Sequence, residues 1–411
     1  MCGLAGFLGG GVAQRDTDGN VALLQRMADA VVHRGPDDSG YWCDTSEQIG
    51  MGHRRLAVID MTAAGHQPML SADGRYAIVF NGEIYNHMTL RRALEKEDLH
   101  STWRGYSDTE TLLAGFSTWG MEGTLKRIIG MFALALWDRK ARTLTLARDR
   151  LGEKPLYYGW QGQGLARVFL FGSELKALRA HPAFSREIDR GALSLMLRYN
   201  AIPAPYSIYQ DISKLMPGTF LTVSLTRPDP VLATFWSGGR VVEAAVNNRF
   251  IGNREQAIDA LDVLLKDAVG KQMMAEVPLG AFLSGGVDST TVVALMQRLS
   301  ARAVKTFTIG FYEPGYNEAE NAKAVAAHLG TDHTELYVTA KQAMSVIPSL
   351  PSLYDEPFSD SSQIPTFLVS HLARQQVTVA LSGDAGDELF CGYNRYQVTA
   401  GLWKKLAAVP L

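Results

Sequence analysis

Residue 2 of the chain is a cysteine, directly after Met1. Removal of an initiator methionine would place a thiol and a free α-amino group on that one residue. Such an amine has a reference pKa of about 7.7–8.0, near enough to neutrality to relay the thiol proton. Nucleophile and base would then both come from Cys2. A cysteine at position two can equally be incidental, so its meaning depends on what other stretches supply.

A second stretch with chemical content is Ser284-Gly285-Gly286-Val287-Asp288-Ser289-Thr290. It follows the apolar run Val277 to Leu283 and precedes Thr291 to Leu299, whose Val292, Val293, Leu295, Met296 and Leu299 suit one buried helical face. That order predicts strand, glycine turn and helix. Backbone N–H groups and the positive end of a helix would converge there on an anionic phosphate. Gly285 and Gly286 let the backbone approach closely, while Ser284, Ser289 and Thr290 offer hydroxyls. No Gly-Lys-Ser/Thr follows, so this is not the Walker-type loop, and a plain turn is the alternative.

A third stretch, Leu381 to Phe390, holds Asp384, Asp387 and Glu388 within five residues. Carboxylates so close repel one another unless a cation or solvent offsets them. Mg²⁺ would do so and takes oxygen ligands; a solvated acidic loop is the alternative.

The elements that must position these groups divide the chain. Met131 to Trp137, Thr143 to Ala147 and Phe169 to Gly172 read as buried strands, and Val21 to Val32 and Thr109 to Phe116 as helices. Stacked sheets flanked by helices are expected, closing near Arg179. Between His181 and Asn253 scattered prolines suggest an ordered connector. Arg254 to Met274 has helical spacing. Beyond the glycine loop, Val304 to Phe311, Glu335 to Val338 and Val377 to Leu381 read as strands, alternating with helices over Glu318 to Leu329 and Ser362 to Arg374. That alternation predicts a parallel sheet, whose ligands bind beyond the carboxyl ends of its strands.

At 411 residues the chain can hold two or three cores. Lys+Arg of 40 against Asp+Glu of 42 leaves a net charge of −2, with no basic excess to suggest a nucleic-acid partner. Cys2, Cys43 and Cys391 have neither metal-ligand spacing nor an even-numbered framework, so a reducing compartment, the cytoplasm, is expected. The longest apolar stretch, Ile128 to Trp137, is about half a bilayer span, so no membrane role is expected and the N-terminus should be retained.

Met1-Cys2-Gly3 together with His33 to Asp37, Gly52 to Asp60, Phe80 to Asn86 and Ser107 to Glu110 resembles the class II glutamine amidotransferase domain. The Ser284 to Thr290 loop resembles the pyrophosphate loop of the ATP pyrophosphatases. The two halves together resemble the glutamine-hydrolysing asparagine synthetase family.

The resemblance implies an α+β N-terminal nucleophile fold (stacked-sheet αββα) over 2–180, a connector over 181–253 and an α/β parallel-sheet ATP pyrophosphatase domain over 254–411. It also implies that Cys2 attacks the glutamine carboxamide, with the Asn81 side chain and Gly82 N–H as oxyanion donors. Arg55, Glu83 and Asp108 would hold the glutamine, Arg55 on the α-carboxylate and Asp108 on the α-ammonium. Asn-Gly is also a common hairpin turn, and the charged residues have surface roles as alternatives. His33 and His53 are expected to be structural. ATP would lie on Leu283, Ser284, Gly285, Gly286, Asp288, Ser289, Thr290, Ser382 and Gly383, with Asp288 and Asp387 on Mg²⁺ and Asp384 near the reacting centre. Expected partners are glutamine, ATP and a carboxylate acceptor, aspartate first; a homodimer is compatible with the family.

Three departures qualify the resemblance. The well-known synthetases carry glutamate where this chain has Asp384. The run Asp355 to Pro365 has no lysine or arginine where a cation is expected to meet aspartate, which opens a sugar uronic acid or a cell-wall precursor as acceptor. The sequence stops at Leu411, where the family continues into further helices, so a truncated form with glutaminase or nucleotide binding only is a further expectation.

Overall fold

In the computed structural model, residues 1–10, 17–96, 102–312 and 317–407 are described. The end of the expected second domain, 408–411, lies outside them. The chain divides into two compact units, 1–251 with 349–360 and 252–348 with 361–411.

In the first unit the strands are β1 (Gly3–Gly9), β2 (Asp38–Asp44), β3 (Ile49–Arg55), β4 (Met69–Leu70), β5 (Tyr76–Ile84), β6 (Gly130–Asp138), β7 (Thr143–Arg148), β8 (Tyr157–Gln161), β9 (Val168–Gly172), β10 (Ser213–Lys214), β11 (Thr219–Val223) and β12 (Val231–Thr234). They make two six-stranded sheets, ordered β10-β8-β9-β1-β3-β2 and β12-β11-β7-β6-β5-β4. Every neighbouring pair is antiparallel.

Both faces of the central strands are covered, which is why they read as unbroken apolar runs. Leu4 and Leu8 of β1 enter the core between the sheets with Met51, Val79 and Ala135. Ala5 and Phe7, on the opposite face, pack with Leu23, Leu24 and Met27 of the helix Thr17–Asp29. Across the second sheet, Ile78, Phe80 and Ile84 pack with Leu112, Leu113 and Phe116 of the helix Asp108–Arg127. The layers therefore run helix, sheet, sheet, helix, as expected. That last helix is capped by Ser107, whose Oγ accepts the Thr109 N–H at 3.1 Å, and it is interrupted at Gly120, where φ is 69°.

Residues 181–253 do more than connect. β10 pairs with β8 and β11 with β7, so this stretch extends both sheets of the first unit. Residues 349–360 also join that unit. Lys214 makes an ion pair with Glu356, the Ile208 N–H donates to Glu356 Oε1 at 2.8 Å, and Lys176 lies 3.5 Å from Asp355.

The second unit holds β13 (Leu279–Phe282), β14 (Lys305–Phe311), β15 (Asp332–Val338) and β16 (Val379–Leu381), in the order β15-β14-β13-β16 with every pair parallel. β15 starts before the expected Glu335 because its whole length pairs with β14. Val269, Val293, Met296, Ala322 and Ala326, from three helices, cover one face with Ala281 and Leu283. Leu372 and Ala373, from the helix Gln363–Arg374, pack with Phe307 in a second cluster. No helix among the described residues is long and apolar enough to cross a membrane.

Candidate active sites

Strand parity assembles the first site. Side chains alternate faces along a strand, so Cys2 shares the inward face of β1 with Leu4 and Leu8. Arg55 shares that of β3 with Ile49 and Met51, while Asn81 and Glu83 continue the face of β5 that carries Ala77 and Val79. All four therefore meet at one end of the inter-sheet layer. They line a pocket of about 520 Å³, part of it open to solvent, with Gly82 and Asp108. All six residues expected at the glutamine site are thus brought together.

The Cys2 thiol lies 3.4 Å from the Leu56 N–H and 3.6 Å from the Leu56 carbonyl oxygen. Burial pushes its pKa up, opposed by the Leu56 hydrogen bond and the neighbouring amine. The terminal amine, here that of Met1, is lowered to about 6, chiefly by burial. Arg34 Nε donates to the Cys2 carbonyl oxygen at 3.0 Å, and Arg34 Nη1 donates to Glu174 at 2.6 Å.

Asn81 is wholly buried, and among the described residues neither its amide nitrogen nor its oxygen has a hydrogen-bond partner. A buried polar group left unpaired costs about 1–3 kcal/mol, so its retention beside a thiol calls for a ligand or water. Gly82 follows on β5, where a Cβ would sit 2.2 Å from the Met131 carbonyl oxygen of the adjacent strand. Only glycine leaves the β5 to β6 pairing undisturbed at that point.

The guanidinium of Arg55 is anchored by the carbonyl oxygens of Thr62, at 3.2 Å, and Asp60. Asp108, at the first turn of its helix, accepts the Ile84 N–H at 2.9 Å, and burial raises its pKa to about 6. Asp60 Oδ2 accepts the N–H groups of Tyr106 at 3.0 Å and Ser107 at 3.1 Å, fixing the turn that presents Asp108. Glu83 is raised to about 7 by burial and the nearby Asp108 charge.

His33 makes a 3.1 Å contact with Glu174, and His53 is buried against the Phe80 carbonyl oxygen at 3.0 Å; neither lines the pocket. The sequence reading did not single out Gln67, Met131 and Lys154, which do line it. Lys154 sits in the stretch Asp149 to Pro155, which has no periodicity to mark it.

The second site lies wholly in the second unit. β13 and β16 pair in parallel, Ala281 opposite Leu381, so the loops following them leave the same end of the sheet. Leu283, Ser284, Gly286, Asp288, Ser289, Ser382, Gly383, Asp384 and Asp387 line a pocket of about 1680 Å³ that includes open space. Gly285 and Thr290 do not line it. Gly285 takes φ of +78°, and a Cβ there would lie 2.7 Å from the Ala322 nitrogen, so it serves the turn itself. Thr290 carries a buried hydroxyl with no partner among the described residues, one turn into the helix Val287–Leu299.

Ser289 Oγ is 2.9 Å from Ser284 Oγ and 3.2 Å from the Ser284 nitrogen, which closes the loop on itself. A Cβ at Gly383 would meet the Ser289 nitrogen at 2.6 Å, so the two loops touch. Ser382 donates to Asp384 at 3.0 Å. Among the described residues no group of three or more His, Cys, Asp or Glu side chains could hold a metal ion. Asp288 and Asp387 line this pocket with the hydroxyl-bearing Ser284, Ser289 and Ser382, oxygen donors of the type that Mg²⁺ takes.

A glutamine amidotransferase domain model matches residues 1–236 and an asparagine synthase model matches 260–411. A putative glutamine-hydrolyzing asparagine synthetase of Mycobacterium tuberculosis is 36% identical over 409 residues, covering 97% of this chain and 61% of that protein. Glutamine-hydrolyzing asparagine synthetase 1 of Bacillus subtilis is 35% identical over 412 residues, covering 100% of this chain and 61% of its own length. A putative glutamine-hydrolyzing asparagine synthetase 2 of Methanocaldococcus jannaschii is 36% identical, with 96% of this chain and 76% of that protein covered. The chain thus spans about three fifths of the first two relatives. With both domain models matched and the M. jannaschii relative covered over three quarters of its length, the chain belongs to the glutamine-hydrolysing asparagine synthetase family.

Proposed function

We propose that the chain hydrolyses glutamine at Cys2 and, in its second unit, uses ATP to activate a carboxylate, aspartate first, for amidation by the released ammonia. The observation that carries this reading is the buried Asn81 carboxamide, without a hydrogen-bond partner among the described residues, in one pocket with the Cys2 thiol.

After removal of Met1, the α-amine of Cys2 takes the thiol proton as sulfur attacks the glutamine carboxamide carbon. Charge collects on the amide oxygen, where Asn81 Nδ2–H and the Gly82 N–H donate; one such donor accounts for about 10²–10³ in rate. The ammonium then returns its proton to the leaving nitrogen, ammonia departs, and water hydrolyses the thioester. Arg55 grips the α-carboxylate of the substrate, and Asp108 with Glu83 faces its α-ammonium.

In the second unit, the Ser284 to Ser289 turn and the start of the helix Val287–Leu299 would cradle the phosphates. Ser382 and Gly383 border the nucleotide, and Asp384 lies near the reacting carboxylate. Asp288 and Asp387 would hold Mg²⁺, which neutralises phosphate charge when bound. The carboxylate acceptor leaves the site as an amide, with AMP and pyrophosphate as the other products.

Incubation with glutamine, aspartate and MgATP should give asparagine, AMP and pyrophosphate in equal amounts. Pyrophosphate release only with another carboxylate, such as a uronic acid or a cell-wall precursor, would transfer the acceptor assignment to that compound. No acceptor-dependent release at all would limit the chain to glutamine hydrolysis.

A further inference from the structure

Lys154 is a buried lysine on the wall of the thiol pocket, only 4% exposed. Among the described residues no carboxylate oxygen comes within salt-bridge distance of its Nζ, and its hydrogen-bond contact is the Met1 sulfur at 2.8 Å. A buried lysine is ordinarily paired with an anion, so an ammonium resting on a thioether has its electrostatic partner elsewhere.

The backbone that presents it is unusually determined. Asp149 accepts the N–H groups of Leu151, Glu153 and Lys154, each at 3.0 Å, and that of Phe132 on β6 at 3.1 Å. Arg148 donates to the carbonyl oxygens of Lys154 at 2.8 Å, Gly152 at 2.6 Å and Leu215 at 2.7 Å. Gly152 adopts φ of +73°, which the turn needs. Seven hydrogen bonds to the buried Asp149 and the half-buried Arg148 thus aim one side chain at the end of β1 that carries Met1 and Cys2.

We propose that Lys154 is a positioning residue of the thiol site, whose buried ammonium keeps the Cys2 α-amine neutral and so able to take the thiol proton. This rests on the glutaminase reading of Cys2. Met1 is the residue whose loss exposes that amine, and its sulfur is what Lys154 touches, so removing Met1 leaves the ammonium facing the new N-terminus. A cation beside an ammonium disfavours the second charge, which leaves the amine in its neutral form.

The charges facing Lys154 are Glu83 from β5, Glu153 and Asp149 from its own turn, and Arg34. Those facing Cys2 are the terminal amine, Asp108 and Arg55. Glu83 and Glu153 support the ammonium against burial, which lowers its pKa. The terminal amine is itself held low by burial first, with Arg34 and Lys154 adding to the effect.

The test is the pH dependence of glutamine kcat/KM and of Cys2 alkylation by iodoacetamide, read by peptide mass to separate Cys2 from Cys43 and Cys391. Lys154→Met should move the acid limb of both profiles to higher pH by about one unit, a roughly tenfold loss below it. Lys154→Arg should leave the limb in place. Should Lys154→Met melt early, Lys154→Gln gives the same reading with a polar side chain. A folded, charge-free variant whose limb does not move overturns the proposal while leaving the thiol site intact. A wild type that hydrolyses no glutamine overturns both.

Discussion

Asn81 is a residue whose loss separates activity from stability. In most buried positions an amide truncated to alanine leaves partners unsatisfied, but Asn81 has none to strand. Asn81→Ala should lower kcat for glutamine hydrolysis by about 10²–10³ while the melting temperature holds or rises. A matching fall in stability would mean the amide is structural.

Asp108 carries a related conflict. Its folded-state pKa is raised by burial to about 6, so its contribution to stability is present below the unfolded value and lost as pH rises through 6. Asp108→Asn should therefore gain up to about 3 kcal/mol at pH 7.5, a gap that closes toward pH 4, while glutamine KM rises sharply. Urea unfolding at the two pH values checks the sign. The motifs marked Cys2, Arg55, Asn81, Glu83 and Asp108 as candidates, and parity explains how three strands bring four of them to one pocket. Lys154 was not readable, because its meaning lies in a hydrogen-bonded turn that has no sequence period.

At the scale of elements, the long apolar strands and the helices were legible, since a strand with both faces buried or a helix with one apolar face carries its pattern locally. β10, β11 and β12 were not, because strands of two, five and four residues in a proline-bearing stretch are defined by their neighbours. The run Asp355 to Pro365 carries no lysine or arginine. Its carboxylates meet lysines far upstream instead, Glu356 with Lys214 and Asp355 with Lys176. Local sequence cannot announce a partner 148 residues away, as with the Ile208 N–H and Glu356. Glu356→Ala should release residues 349–360 from the first unit at a cost of about 2 kcal/mol. Hydrogen exchange should then accelerate across 352–358 while β14 stays protected, and unchanged exchange would show that other contacts hold the segment.

At the scale of the whole molecule, each unit has its own buried clusters and its own pocket, so the two chemistries should be separable by single substitutions. Asp288 sits beside Gly386, where a Cβ would come within 2.4 Å of its carboxylate, so the two loops of the second site leave room for no bulk other than ligand. Asp288→Asn keeps that shape and removes the charge. Losing one charge-assisted contact of about 1.5–3 kcal/mol should weaken MgATP binding by roughly ten- to a hundredfold. The proposed glutamine hydrolysis, assigned to residues of the first unit, should stay within about twofold, since sites without shared partners act additively. Cys2→Ala should give the converse result: no glutaminase, MgATP binding unchanged, and any acceptor-dependent pyrophosphate release sustained by added ammonia. Both variants are read by calorimetric titration with MgATP and by glutamate release. A fall in glutaminase in Asp288→Asn comparable to its loss of nucleotide would show that the two units are energetically coupled, and would place that coupling in the ordering of the Ser284 to Thr290 turn.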